Sequence, residues 1–100
     1  MSTSSAITEL FEHLQSDRDA ALERLIAFVS IPTISTDPAY RSHVQRGAEW
    51  VAATLEQIGL EATMLPTDGH PAVLGLSRQE GDDPETPRVL YYGHYDVQPP

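Results

Sequence analysis

VLYYGHYDVQPP, at residues 89–100, is the stretch that decides the interpretation of this chain. Its first four residues, 89–92, are an unbroken run of β-formers, which is typical of a strand buried on both faces, as in a parallel sheet. Prolines lie shortly before and after the run and limit its length. Gly93 permits close backbone approach or unusual dihedral angles where the strand ends. We therefore predict a short buried strand at 89–92.

Two side chains with useful chemistry, His94 and Asp96, follow that strand. In extended backbone, residues i and i+2 point to the same side, so the imidazole and the carboxylate should emerge together. The carboxyl end of a buried strand is also where open α/β sheets place their ligands. A neutral imidazole can bind a metal through one ring nitrogen while an acceptor holds the other. The plainer alternative is a strand-end histidine beside a turn-capping aspartate, and a bare His-x-Asp pattern favours it.

The longer string at residues 93–99, GHYDVQP, resembles the metal-binding segment of the M20 family of zinc metallopeptidases. Within that family it is most similar to the dipeptidase branch, which includes the carnosine dipeptidases. Tyr95 and the Gln-Pro pair favour this branch, because members that deacylate amino acids usually carry a different residue after the histidine and lack Gln-Pro. Two other segments also resemble the family: IPTIST at 31–36 and the turn GHPAV at 69–73.

The resemblance implies a site and a reaction. His94 would bind one of two zinc ions, and Asp96 would support that ligand and count as a catalytic residue. The two ions would polarise the scissile carbonyl of a small peptide substrate and lower the pKa of a bridging water. The family's bridging Asp, its Glu-Glu pair with the general base and its other ligands would all follow residue 100. Histidine and carboxylates also suit manganese and cobalt, so the metal stays open.

The resemblance further implies the architecture. We expect an α/β fold, with residues 1–100 as the incomplete N-terminal part of a three-layer α-β-α catalytic domain built on a mixed sheet. A second, smaller domain often carries the homodimer contact in the family, and we expect it to be absent from these residues.

Composition excludes several classes of function. The formal net charge of −9 argues against nucleic acid as a partner, because an acidic chain repels phosphate backbones. There is no cysteine, so any zinc must be held by histidine and carboxylates. The sequence lacks a basic stripe, a run of about 18 apolar residues and a visible secretory signal. We therefore expect a cytoplasmic protein that does not associate with membranes.

Periodicity predicts the remaining elements. Apolar residues at helical spacing predict helices at 5–15 and 17–29, or one bent helix, and we expect their apolar stripes to face a core rather than a partner. A third helix should open at Asp37-Pro38 or near Ser42 and end at Gly59, a suitable C′ residue. Strands at 60–65 and 72–76 should form an antiparallel hairpin at a sheet edge. Residues 78–87 should form a solvated loop.

His70 is the only rival to His94 as a ligand, and its position in the turn favours a structural role. Two hypotheses remain: the N-terminal part of a dipeptidase, or a small acidic α/β interaction module in which His94 and Asp96 are structural. Gene sequence downstream of Pro100 would discriminate between them. Codons for an Asp, a Glu-Glu pair and a late His would favour the enzyme.

Overall fold

The computed structural model describes residues 3–77 and 83–100, so the loop expected at 78–87 lies partly outside the described residues. Its elements are three α-helices, one 3-10 helix and a two-stranded sheet, and the predicted α/β class is confirmed. The chain divides into two compact units, Met1–Ser30 and Ile31–Pro100. Within the described ranges, no helix is both long and apolar enough to cross a membrane.

The first unit is a pair of helices, α1 (Thr3–Ser16) and α2 (Arg18–Val29), close to the predicted ranges. Asp17 separates them, and its carboxylate accepts a 2.6 Å hydrogen bond from the Arg24 guanidinium. The predicted apolar stripes are present, but the expectation that they face a core is wrong for the described residues. Their large side chains are roughly half exposed, from 48% at Ile7 to 62% at Phe11. Two helices alone can cover only part of each other's apolar surface.

The second unit begins after α2 with Ile31 and the helix-terminating Pro32, as predicted. The sequence predicted two alternative start positions for the third helix, and a helical element begins at or close to each of them. The Asp37 carboxylate accepts a hydrogen bond from the Ala39 amide (2.9 Å), and Pro38 starts the 3-10 helix Pro38–Tyr40. Helix α3 (Arg41–Gln57) continues directly from it.

Helix α3 ends at the predicted glycine. Gly59 has φ = +93°, a conformation that costs other residues roughly 1–2 kcal/mol. Its amide donates to the Glu56 carbonyl (3.0 Å), and the Leu60 amide donates to the Leu55 carbonyl (3.1 Å). These two bonds form a Schellman motif, which satisfies free carbonyls of the last turn and reverses the chain.

The reversed chain enters the predicted antiparallel hairpin, made of β1 (Glu61–Leu65) and β2 (Ala72–Leu76). Ala62 and Met64 are partly buried, while their neighbours in β1 are exposed, as the alternation predicted. Helix α3 packs on this hairpin. The contact is close at Gly75, where a Cβ would lie 3.0 Å from Leu55 Cδ1.

The core of the second unit is small and lies where residues 31–34 meet α3. Its buried apolar members are Ile31, Ile34, Val44 and Ala48. Thr33 is buried among them, with 1% of its surface exposed. Gly47 of α3 faces Thr33 so closely that a Cβ there would lie 2.4 Å from Thr33 Cγ2. The missing side chain at 47 is therefore what lets the 31–36 segment approach the helix.

The predicted buried strand at 89–92 is wrong. These residues form no strand, and their exposure runs from 74% at Val89 to 91% at Tyr92. A strand needs a neighbour to pair with, and none of the described residues pairs with 89–92. Only the following segment makes such a contact, through a single parallel bridge between Ile34 and Val97. The described sheet is the β1–β2 hairpin alone.

We predict that Gly47→Ala destabilises the chain. The new methyl group overlaps the Thr33 side chain, and Thr33 cannot rotate away without breaking its own hydrogen bond to Tyr95. Overpacking of this kind costs about 1–3 kcal/mol, against a gain of up to about 1 kcal/mol from the better helix former. Urea unfolding should therefore give a lower midpoint.

Gly69→Ala is the matched control, because its nearest atom would be Thr67 Oγ1 at 3.9 Å. Its unfolding free energy should change by less than about 0.5 kcal/mol. A Gly47→Ala protein as stable as the wild type would mean that the 31–36 segment can move away from α3.

Candidate functional site

The segment that carries His94 and Asp96 is held in place by a distant part of the chain. Ile34 and Val97 form a parallel bridge, and the Val97 amide donates to the Thr33 carbonyl at 2.9 Å. The Thr33 hydroxyl donates to the Tyr95 carbonyl at 2.8 Å, across 62 positions of sequence. The two strings that resemble the M20 family, at 31–36 and 93–99, therefore lie side by side.

His94 and Asp96 are in direct contact, as their spacing predicted. His94 Nδ1 lies 2.8 Å from Asp96 Oδ1, and 3.1 Å from the Asp96 backbone carbonyl oxygen. The imidazole is 74% exposed and the carboxylate 43% exposed. An N–H on Nδ1 can donate to either oxygen, whereas no hydrogen bond to Nε2 is found within residues 3–77 and 83–100. The geometry thus leaves Nε2 as the available nitrogen.

Ser35 is a partner of Asp96 that was not predicted from the sequence. Its hydroxyl donates to Asp96 Oδ2 at 2.6 Å, so both carboxylate oxygens are engaged. The only hint in the sequence was that Ser35 belongs to the string at 31–36. The bond from Ser35 is the main reason that the pKa of Asp96 is lowered; the His94 bond adds to the effect, and partial burial opposes it.

Tyr95 ties the segment to the hairpin. Its hydroxyl donates to the Pro71 carbonyl at 2.6 Å. Burial, followed by the nearby charge of Asp96, raises the pKa of this phenol. Tyr95 therefore acts in the structure as a neutral donor at neutral pH.

His70 does not converge on His94. Its Nε2–H donates to the Ser35 backbone carbonyl at 2.9 Å, which ties the β1–β2 turn to the 31–36 segment. This contact is structural, in line with the interpretation of His70 as a turn residue rather than a ligand.

In the described part of the chain, the side chains near His94 can supply one ligand of a metal centre but not a complete set. An imidazole whose Nδ1 is held by a carboxylate, with Nε2 facing outwards, is the common form of a metal-binding histidine. Among the described residues, however, no group of three or more histidine, aspartate or glutamate side chains could hold an ion. A surface depression lined by residues of α3, β1 and β2 includes neither His94 nor Asp96.

Comparison with known proteins gives several relatives. A cysteinylglycine-S-conjugate dipeptidase of Corynebacterium striatum is 32% identical over 99% of this chain, and a Cys-Gly metallodipeptidase of Saccharomyces cerevisiae is 33% identical over 96%. A Beta-Ala-His dipeptidase of Mus musculus is 32% identical over 96%. The predicted resemblance to dipeptidases is confirmed. The chain spans about a fifth of the length of these relatives, 21% to 22%.

Neither a family model nor a solved structure matches the chain significantly. Relatedness is thus supported by the dipeptidase sequences, which this chain matches along almost its own whole length.

We predict an acid dependence of stability that arises from Asp96. The folded-state pKa of this group is lowered, so its contribution is fully present above the ordinary aspartate value of about 3.9. It is lost as the pH falls through the lowered folded-state pKa. Unfolding free energies measured by urea titration across this acid range should fall more steeply for the wild type than for Asp96→Asn. Identical slopes for the two proteins would contradict the prediction.

Proposed function

We propose that this chain is part of a metal-dependent dipeptidase with a two-zinc centre, in which His94 binds one ion and Asp96 supports His94. The observation that carries the proposal is the contact between His94 Nδ1 and Asp96 Oδ1, at 2.8 Å. It comes together with relatives whose names include metallodipeptidase and dipeptidase.

Asp96 would act on the imidazole in two ways. By accepting a hydrogen bond from Nδ1–H, its carboxylate favours the tautomer whose lone pair lies on Nε2. The negative charge also makes that nitrogen a stronger ligand. An aspartate is ionised at neutral pH, so both effects are present there, and the lowered pKa of Asp96 extends them further into the acid range.

A bound zinc ion would supply Lewis acidity at the substrate carbonyl. The part of that centre assigned to this chain is to hold one imidazole at a fixed angle and in a fixed tautomer. Thr33 and Ser35 would contribute through their hydrogen bonds to residues 95–97.

The substrate class that we propose is a small peptide. The relatives are named for Cys-Gly, cysteinylglycine S-conjugates and Beta-Ala-His, which share a short amide-linked skeleton rather than one side chain. The identity of the metal, a homodimeric state and a cytoplasmic location stay predictions.

We predict that the 100-residue chain alone does not hydrolyse dipeptides. Catalytic zinc sites use about three protein ligands plus a water, and we assign one ligand to this chain. Purified chain should release no free cysteine or glycine from Cys-Gly, with or without added zinc. Zinc-dependent turnover that disappears in His94→Ala would contradict this and would place the whole centre within these residues.

In the full gene product, we predict graded losses at two positions. His94→Ala removes a ligand and should lower both metal content and hydrolysis of Cys-Gly severely. Asp96→Asn keeps the size of the side chain but removes the charge, and should cost roughly 10–100-fold in metal affinity or activity. Metal analysis and steady-state kinetics on the same preparations would measure both effects.

Tyr95→Phe is the control for this series. It removes one hydrogen bond to the Pro71 carbonyl but leaves the His94–Asp96 contact intact, so its effect should be much milder. If Asp96→Asn kept full activity and metal, Asp96 would be a turn residue only. If His94→Ala also changed nothing, the metal site would lie elsewhere and the assignment of this segment as metal-binding would be wrong.

A further inference from the structure

We infer that Ser35 is a positioning residue: its hydroxyl fixes the Asp96 carboxylate and thereby selects the tautomer of His94. This inference rests on the proposed function only for its consequence in metal binding. The selection of the tautomer is a property of the described residues and can be tested without a metal.

The position of Ser35 is fixed on both sides. Its backbone carbonyl accepts a hydrogen bond from His70 Nε2 at 2.9 Å. The preceding residue, Ile34, is 8% exposed and bridges to Val97. The Ser35 backbone is thus held by the turn and by the core. From this fixed position its hydroxyl donates to Asp96 Oδ2 at 2.6 Å.

Asp96 needs such an anchor because its surroundings are otherwise open. The carboxylate is 43% exposed, and the imidazole that it also contacts is 74% exposed. Rotation of the carboxylate is therefore limited mainly by the Ser35 bond. With Oδ2 held, Oδ1 faces His94 Nδ1 at 2.8 Å, where only an N–H on Nδ1 gives a hydrogen bond.

Loss of the Ser35 hydroxyl would release this arrangement. The carboxylate could then turn towards water, and His94 Nδ1 would keep only the Asp96 backbone carbonyl at 3.1 Å as a protein acceptor. A neutral imidazole in water exchanges between two tautomers, so part of the population would carry its proton on Nε2. That form has no lone pair facing outwards and cannot ligate a metal there.

The test is the nitrogen NMR signature of His94 in the full 100-residue chain. Long-range proton–nitrogen spectra of neutral imidazole separate the protonated nitrogen from the unprotonated one and give the fraction of each tautomer. At a mildly alkaline pH and without metal, the wild type should show His94 mostly protonated at Nδ1. Ser35→Ala should shift it to a mixture, while Ser42→Ala, an exposed serine of α3, should not. His94→Ala assigns the signals.

Ser35→Thr and Ser35→Cys complete the series. Ser35→Thr keeps a hydroxyl and should restore the wild-type tautomer. Ser35→Cys is close in size to serine but is a weak donor, and should resemble Ser35→Ala. If Ser35→Ala loses the amide pattern of the β1–β2 hairpin, the cysteine variant carries the comparison. An unchanged Nδ1–H fraction in the folded variant would overturn the inference.

Adding zinc in large excess separates this inference from the proposed function. We expect the His94 Nε2 signal of the wild type to shift with zinc, and about tenfold more zinc to be needed in Ser35→Ala. If the tautomer responds to Ser35 but zinc leaves Nε2 unaffected, the positioning role stands and the metal role fails. If zinc shifts Nε2 equally in both proteins and the tautomer does not change, the positioning role is wrong.

Discussion

The candidate site depends on one buried polar residue, Thr33. Its hydroxyl and its carbonyl both bond to the 95–97 segment, at 2.8 and 2.9 Å, and only 1% of its surface is exposed. Hydrogen bonds shielded from water in this way are costly to break, because each partner would be left unsatisfied. Gly47 makes the arrangement possible, since any side chain there would occupy the place of the Thr33 methyl. A helix, a short extended segment and the His-Tyr-Asp string are thus held together at one point.

Local signals made much of the fold predictable. An aspartate caps the 3-10 helix that leads into the third helix, and a glycine with positive φ ends the third helix; both signals act within a few residues of sequence. The hairpin follows from alternation and a proline-bounded turn. The run at 89–92 failed as a signal because β-formers indicate burial only where neighbouring strands exist. Within the described residues these side chains meet mainly solvent.

The site was predictable only in its local part. His94 and Asp96 are two residues apart, so backbone geometry alone brings the imidazole to the carboxylate. Ser35 comes from 61 positions away, and no periodicity or spacing connects it to Asp96. The role of its hydroxyl emerges only from the contact between the 31–36 and 93–99 strings. Both strings resemble one family, and their contact is a physical reason for the two strings to occur in the same sequence.

The long-range nature of these contacts has a consequence for the order in which parts of the chain form and open. The hairpin and the third helix join residues that are close in sequence, whereas the site must close a loop of about 60 residues, at a larger entropic cost. Few bonds then hold the 94–97 segment, and it is partly solvated. In native-state hydrogen exchange, the Val97 amide should therefore belong to a unit that detaches while the hairpin stays folded. A ligand that binds both this segment and another element would suppress this local opening. Its first effect would be to hold the backbone of the segment in place at the site.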